Sequence, residues 1–281
     1  MSGVKGVSAR SGGSAFTSTL RGSSPCPEMD NGSPCTGVNR FWFFRPNGMK
    51  SIRYSTCECG ARFPNHDEMS FSIEALLDLV REKKSPDVRQ TVKETLCPED
   101  LQTDWSRVGI IPVGTPVLHQ PSRSVRMDDS GAGAFGEEMI ERMTMAHGVG
   151  LAANQVGVPL RIMVHKAKGF DIHVLLNPVI LERSPRVIHF EEGCLSLALV
   201  GARGEVMRNV RVLAAAGTAD GRFVCMDAGG LLAIVMQHEI DHLNGIEYVQ
   251  RLTPAEMKRV YKLMRRSGLD VAMVPYLGAA E

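Results

Sequence analysis

Residues 231 to 245, Leu-Leu-Ala-Ile-Val-Met-Gln-His-Glu-Ile-Asp-His-Leu-Asn-Gly, decide how the rest of the chain is read. The run from Leu231 to Leu243 is apolar almost all round until Gln237, which predicts a buried helix, and Asn244-Gly245 supplies its stop. His238 and His242 stand one turn apart on one face of it, the separation at which two imidazoles grip a single ion. Glu239 is beside them, placed to take a proton from a water at such an ion. Two histidines, a glutamate and an aspartate on one buried turn are costly unless something compensates them, and a metal ion does so. The plainer alternative is a set of buried, hydrogen-bonded polar residues without an ion.

A third ligand is needed. In metzincin peptidases the pattern continues to another histidine, but that place holds Tyr248. A downstream acid such as Glu256 is conceivable and has no independent support. Upstream, Glu191-Glu192-Gly193-Cys194-Leu195-Ser196 offers Cys194, whose thiolate suits zinc or ferrous iron. Three protein ligands leave a fourth position open, and Gly193 lets the backbone approach closely. An isolated cysteine is more often an inert core thiol; Cys194 is singled out by the company it keeps. Another segment, Gly148-Val149-Gly150-Leu151-Ala152-Ala153-Asn154-Gln155, follows no strand and lacks a phosphate-loop lysine, so it does not read as a phosphate site.

Taken together, GVGLAANQ at 148–155, EGCLS at 192–196 and HEIDH at 238–242 make the chain resemble peptide deformylases of the organellar eukaryotic kind, whose signatures GxGLAAxQ, EGCLS and HExDH occur in this order. Gly114 to Pro121 (GTPVLHQP) fits as a flanking stretch. The likeness covers roughly residues 107 to 267. It implies that Cys194, His238 and His242 bind one divalent metal, Fe2+ first with Zn2+ or Ni2+ as alternatives. It implies Glu239 as general base and then acid, with the Gln155 side chain and Leu195 backbone N–H as oxyanion donors. The implied substrates are N-formylmethionyl peptides and nascent chains, with formate as product and transient ribosome contact as a further expectation. Methionine needs a long apolar pocket; Ile234, Val235 and Val149 are candidates for its lining, and Gly150 and Gly193 for backbone contacts to an extended peptide. Their plainer reading is core packing and turn geometry. Asp241 is read as structural, paired with Arg208.

Two departures stand out. Family members commonly follow CLS with a hydrophobic residue and Pro, whereas here Leu197 precedes Ala198. The stretch from Cys194 to Val206 also looks longer than in common bacterial forms, so substrate preference is less defined than chemistry.

Outward from the motifs, Glu137 to His147 reads as a helix with acids in its first turn, and Pro254 to Arg266 as an amphipathic C-terminal helix with Met257, Val260, Tyr261 and Met264 on one side. Strands are expected at Leu160 to His165, His173 to Leu176, Arg186 to Phe190, Glu205 to Ala214 and Arg222 to Met226. The fold class expected is α+β, with mixed or antiparallel strands around a central metal-binding helix and a C-terminal helix. Three segments are expected: 1–27 as a disordered or transit-peptide-like tail, 28–105 as an extension with helices, and 106–281 as the catalytic domain. The extension holds the apolar cluster Phe41-Trp42-Phe43-Phe44, a turn signal at Arg45-Pro46-Asn47-Gly48, and helical patterns at Ser70 to Lys84 and Asp87 to Leu96.

With 281 residues, 43% hydrophobic and 22% charged, the composition is that of a globular chain. The net charge of +1 gives no general field for nucleic acid or anionic membranes. No apolar run of about 18 residues reads as a membrane span, and the expected partners include neither membrane nor specific nucleic acid. Residues 1–27 carry Lys5, Arg10 and Arg21 and no acid, which fits a mitochondrial or other organellar address; the alternative is a cytoplasmic protein with a disordered tail. Seven dispersed cysteines point to reduced thiols. Three rival readings remain: a zinc endopeptidase, a non-catalytic metal-stabilised binding protein, and a zinc module built on Cys35, Cys57 and Cys59, for which the C-x-C spacing is poor.

Overall fold

The computed structural model describes residues 39–44, 50–56, 62–64, 109–127, 129–167 and 174–269, the first three stretches as backbone only. The expected tail, the helices at 70–84 and 87–96, the turn at 45–48 and the cysteines at 35, 57 and 59 lie outside the described residues. In chain order the elements are β1 (Asn39–Phe44), β2 (Lys50–Thr56), β3 (Arg62–Pro64), α1 (Ser130–Met145), β4 (Gly150–Ala152), β5 (Ile162–His165) and β6 (Val174–Arg183). These are followed by β7 (Val187–Gly193), β8 (Arg203–Asn209), β9 (Arg211–Thr218), β10 (Phe223–Gly229), α2 (Gly230–Leu243) and α3 (Pro254–Arg266). One antiparallel sheet runs β3-β2-β1-β10-β9-β6-β5-β4, and β7-β8 form a separate antiparallel ribbon. The α+β class holds, and every strand pairing within the two sheets is antiparallel.

Helix α2 is the centre. From Leu232 to Leu243 every residue is buried, and Leu232, Ala233, Met236, Ile240 and Leu243 pack against Met163, Leu175, Ala214, Ala216, Val224 and Met226 of the sheet. Each large apolar side chain so buried contributes roughly 1.5–3 kcal/mol, enough to hold a helix that also carries polar groups inside. Gly229 ends β10 and Gly230 begins α2, so the ligand-bearing helix hangs directly from a sheet strand. On the other face of the sheet, Phe135, Met139 and Met143 of α1 pack on Ile162, Val164, Val174 and Leu176. Helix α3 is capped by Thr253, whose hydroxyl accepts from the Glu256 N–H at 3.3 Å, and seats Val260 and Met264 against Val206, Tyr248 and Leu252.

Three boundaries differ from expectation. Helix α1 begins at Ser130 and not at Glu137, so the acids expected in its first turn lie mid-helix. Its opening residues, Ser-Gly-Ala-Gly-Ala-Phe-Gly, have poor helix propensity. They are held by the Asp129 carboxylate, which accepts from Gly131 N–H at 2.8 Å, and by close packing: a Cβ on Gly136 would stand 2.4 Å from Val174 Cγ1. The run expected as one strand, Glu205 to Ala214, is two. It breaks at Val210, where the Asn209 side chain donates to the Ser184 carbonyl at 2.8 Å and the chain passes from ribbon to sheet. Strand β6 continues through Pro178 to Arg183. A register shift between Leu176 and Val179 accommodates the proline, and the Asn177 side chain bonds both the N–H and C=O of Val125.

Strands β1 to β3 come from the segment assigned to the extension. They continue the same sheet at β10, in register from Arg40 opposite Asp227 to Phe44 opposite Phe223.

Candidate metal centre

Helix α2 presents positions 231, 234, 235, 238 and 239 along one stripe, and all five border a cleft of about 470 Å³. The opposite wall is the end of β7 and the tight turn that follows it. The chain leaves β7 at Gly193, sets Cys194 in extended conformation, and enters a 3-10 turn at Leu195. That places the Cys194 thiol at the mouth of the buried histidine pair. Its Sγ lies 3.2 Å from His242 Nε2, and ligand atoms of Cys194, His238 and His242 all fall within 4.8 Å of one another. The two imidazole centroids are 4.9 Å apart and edge-on.

These donors fit a metal ion. Tetrahedral coordination by one thiolate and two imidazoles needs ligand atoms roughly 3.3–3.7 Å apart, which small shifts of this cluster supply. His238 already has its Nδ1 bonded to Glu192 Oε2 at 2.8 Å, which turns Nε2 toward Cys194. His242 is fully buried, and its Nδ1 and the Glu239 Oε2 have no hydrogen-bond partner among the described residues. Glu239 borders the cleft, where that oxygen is open to a water, while the His242 nitrogen that faces Cys194 is Nε2.

The surrounding charges are ordered. Burial would raise the Glu192 carboxyl, but the hydrogen bonds and charges of Arg208 and His238 more than offset it and bring it down to about 2. Burial alone would keep His238 neutral; its bonds to Cys194 and Glu192 raise it well above the usual histidine range. Burial, joined by the charges of His238 and Arg208, pushes His242 well below that range. Burial also lifts Glu239 to about 7, opposed by the nearby His238. The two carboxylates are thus driven apart, Glu192 toward its ionised form by Arg208 and His238 and Glu239 toward its neutral form by burial.

Gln155 sits opposite. Its Oε1 accepts from the Ala152 N–H at 2.9 Å, which aims Nε2 at Cys194 Sγ and Ser196 Oγ, each at 3.3 Å. The chain at 111 to 113 braces both walls: Ile111 N–H donates to the Gln155 carbonyl and Val113 N–H to that of Ser196. Gly150 lets Glu239 come close, since a Cβ there would lie 2.4 Å from Glu239 Oε1.

Of the residues singled out from sequence, Val149, Gly150, Gln155, Gly193, Cys194, Leu195, Ile234, Val235, His238 and Glu239 all border the cleft, with His242 buried behind it. Ile234 and Val235 lie deep, whereas Val149 is 48% exposed and sits at the rim. Asp241 pairs with Arg208 at 2.5 Å, as read from sequence. Tyr248 stacks near His238 at 6.0 Å and donates its hydroxyl to the Ala202 carbonyl, so it seals the site from behind. Glu256 lies at the surface, paired with Arg259. Sequence reasoning missed Glu192 as the residue holding His238, and Leu231, Phe190 and Arg203 as cleft walls. Leu231 was discoverable, since it is three and seven residues before Ile234 and His238 on the same stripe. Phe190 and Arg203 carried no signal of their own.

A family model described as polypeptide deformylase matches residues 108–258. Peptide deformylase 1A, chloroplastic/mitochondrial, of Arabidopsis thaliana is 36% identical over 175 residues, covering 55% of this chain and 64% of that protein. A second plant relative, from Solanum lycopersicum, is covered to 62%, so the chain spans a little under two thirds of these plant relatives' length. Peptide deformylase of Brucella suis is 37% identical over 155 residues, covering 54% of this chain and 87% of that one. Among solved structures, a peptide deformylase from Synechococcus elongatus in complex with actinonin superposes with a TM-score of 0.54 at 32% identity, covering 61% of this chain and 92% of that one.

Proposed function

Because the chain belongs to the peptide deformylase family, we propose that it hydrolyses the formyl group from N-formylmethionyl peptides and nascent chains, releasing formate. The observation that carries this reading is the convergence of Cys194, His238 and His242 with Glu239 and Gln155 on one cleft. Cys194 Sγ and the histidine Nε2 atoms would hold one divalent ion, Fe2+ by preference and Zn2+ or Ni2+ otherwise; a thiolate with two imidazoles suits all three. Such an ion supplies Lewis acidity and a water of lowered pKa.

The rest falls to the protein. A peptide laid in extended form meets two sheet edges: β4 is the last strand of the large sheet, and β7 pairs on one side only. Gly150 and Gly193 on those edges give its backbone room to approach. The methionine side chain enters beside Ile234 and Val235, with Val149 at the rim. Glu239 takes a proton from the attacking water as the new C–O bond forms at the formyl carbon. The charge developing on the formyl oxygen is met by the Gln155 amide and the Leu195 N–H. Glu239 then delivers its proton to the amine as the C–N bond breaks, leaving formate and a free N-terminus.

The family match supports assigning catalysis to residues 106–281, with 28–105 as an extension. The plant relatives' names, together with the basic, acid-free residues 1–27, support a mitochondrial or other organellar address, with residues 1–27 as its leader. Work on nascent chains entails transient ribosome contact.

The test is formate release from a formyl-Met-Ala-Ser peptide by protein purified anaerobically with ferrous iron. Wild type is expected to release formate, and Glu239→Ala to lose about 10²–10⁴-fold in rate while keeping its metal. Cys194→Ala is expected to lose metal and activity together. Wild type that binds metal through Cys194 and peptide at the cleft, yet releases no formate, would overturn the hydrolase reading in favour of a binding protein.

A further inference from the structure

Residues 109–125 form a strap that borders the site without lining the cleft. Its Ile111 N–H donates to the Gln155 carbonyl at 2.9 Å, and its Val113 N–H to the Ser196 carbonyl at 3.1 Å. Gln155 carries one of the oxyanion donors assigned above, and Ser196 follows the Leu195 N–H, which is the other. The next N–H of the strap, that of Gly114, donates to Glu247 Oε1 at 3.0 Å. The chain then makes the 3-10 turn Pro116–His119, and His119 Nε2 returns to the same Oε1 at 2.5 Å. Beyond it, Ser122 N–H donates to the Leu243 carbonyl at the end of α2.

Glu247 stands on the turn that follows α2, with its own N–H held by Gln250 Oε1 at 2.7 Å and its side chain 1% exposed. A carboxyl group so buried is costly. Burial raises its pKa, opposed by the Gly114 N–H and by His119. Its two partners share one oxygen, and Oε2 has no hydrogen-bond partner among the described residues. A buried group satisfied by half is a poor source of stability. Both partners belong to the strap, so the strap is what the carboxyl group fixes. Val113 and Ile111, one and three residues before Gly114, are fixed with it. The backbones also meet closely here, since a Cβ on Gly245 would lie 2.8 Å from the His119 carbonyl carbon.

We propose that Glu247 is a positioning residue for the reaction: by holding Gly114 and His119 it ties the oxyanion donors to the helix that carries His238, Glu239 and His242. The proposal rests on the hydrolase reading above, and Glu247 itself touches neither substrate nor ion. Glu239 and both histidines ride on α2, whereas Gln155 and Leu195 come from two other segments. The formyl group has to meet both sides at once, and a drift of about 1 Å between them costs on the order of 10²-fold in rate. The Gln155 side has its own tie to α2, through Asn154 Nδ2 on the His242 carbonyl. The strap therefore bears most on the Leu195–Ser196 side, through Val113.

Steady-state formate release from a formyl-Met-Ala-Ser peptide by the full-length, iron-loaded protein reads this out. Glu247→Leu, similar in size but without an acceptor, should lower kcat about 10–100-fold while KM and bound metal stay as in wild type. Glu247→Gln, whose amide oxygen still accepts from Gly114, should recover most of the lost rate. A folded Glu247→Leu with the kcat of wild type would overturn the proposal, as would one that loses metal or changes KM alone. Should that variant fail to fold, amide hydrogen exchange on wild type decides: Ile111, Val113 and Gly114 should open as one unit. Exchange at Gly114 about ten-fold or more faster than at the other two would overturn the anchor. Wild type that binds metal yet releases no formate would instead sink the hydrolase reading, and the same exchange measurement would then judge the anchor by itself.

Discussion

Arg208 donates to both carboxylate oxygens of Glu192, Nε to Oε1 at 2.6 Å and Nη2 to Oε2 at 2.9 Å, with all of these atoms buried. The same guanidinium reaches Asp241 through Nη1 at 2.5 Å, and Asp241 is held from the outside by Arg251. Glu192 in turn fixes His238. A chain of four charges thus runs from the surface to a proposed metal ligand, and its purpose is orientation more than stability.

Glu192→Ala is therefore expected to lower metal affinity about 10–100-fold by freeing the His238 ring. It should also destabilise the fold by about 3–5 kcal/mol, because Arg208 is left buried without its forked partner. Glu192→Gln keeps the shape and should lose less in both respects. Metal titration against a competing chelator, alongside urea unfolding, separates the two effects.

The same carboxylate sets an acid limit. Folding lowers Glu192 from the ordinary 4.5 to about 2, so its contribution is fully present above pH 4.5 and disappears as pH falls through about 2. Metal-free wild type should accordingly lose more melting temperature between pH 4.5 and pH 3 than Glu192→Gln does, the acid loss from the depressed His242 being common to both. Equal losses in the two proteins would show that Glu192 is not held ionised.

At Gly150 the expected damage is to rate. A methyl group there would meet Glu239 Oε1 at 2.4 Å and Val235 Cγ1 at 2.8 Å. The carboxylate has to move, and displacement of about 1 Å costs on the order of 10²-fold in turnover. Gly150→Ala should therefore keep its metal, measured by elemental analysis, while kcat falls.

The metal centre was legible because its chemistry is local in sequence: His238, Glu239 and His242 share one helical turn, and Cys194 sits in a distinctive run. Helix α3, expected from about Pro254 to Arg266, runs over those residues, because its apolar stripe is regular. What was hidden depended on tertiary partners. Nothing near Glu192 tells that it holds His238 and not solvent. Three glycines argued against the first turns of α1 until Val174 is seen pressed against Gly136. The break at Val210 is invisible to alternation, because β8 and β9 both carry outward and inward residues through it. The strands at 39–64 were masked by reading the apolar run Phe41 to Phe44 without a sheet edge to join.

Gly136→Ala tests the hidden half of α1 directly. Helix propensity alone favours alanine by about 1 kcal/mol. The added methyl would overlap Val174 Cγ1 and Cγ2 at 2.4 and 2.6 Å, which costs about 1–3 kcal/mol. The expected outcome is a lower melting temperature with unchanged metal content, whereas a gain would mean that α1 shifts freely on β6.

Cys194 and Glu256 offer the sharpest separation from an endopeptidase-like site. Glu256 bonds Arg259 and the Glu205 N–H on the surface, away from the histidines, while Cys194 Sγ lies 3.2 Å from His242 Nε2. Glu256→Ala should leave both bound metal and formate release unchanged. Cys194→Ala should strip the ion, because two imidazoles alone do not retain it through dialysis. Retention of metal by Cys194→Ala together with its loss in Glu256→Ala would place the third ligand downstream, and with it the chemistry of a peptidase.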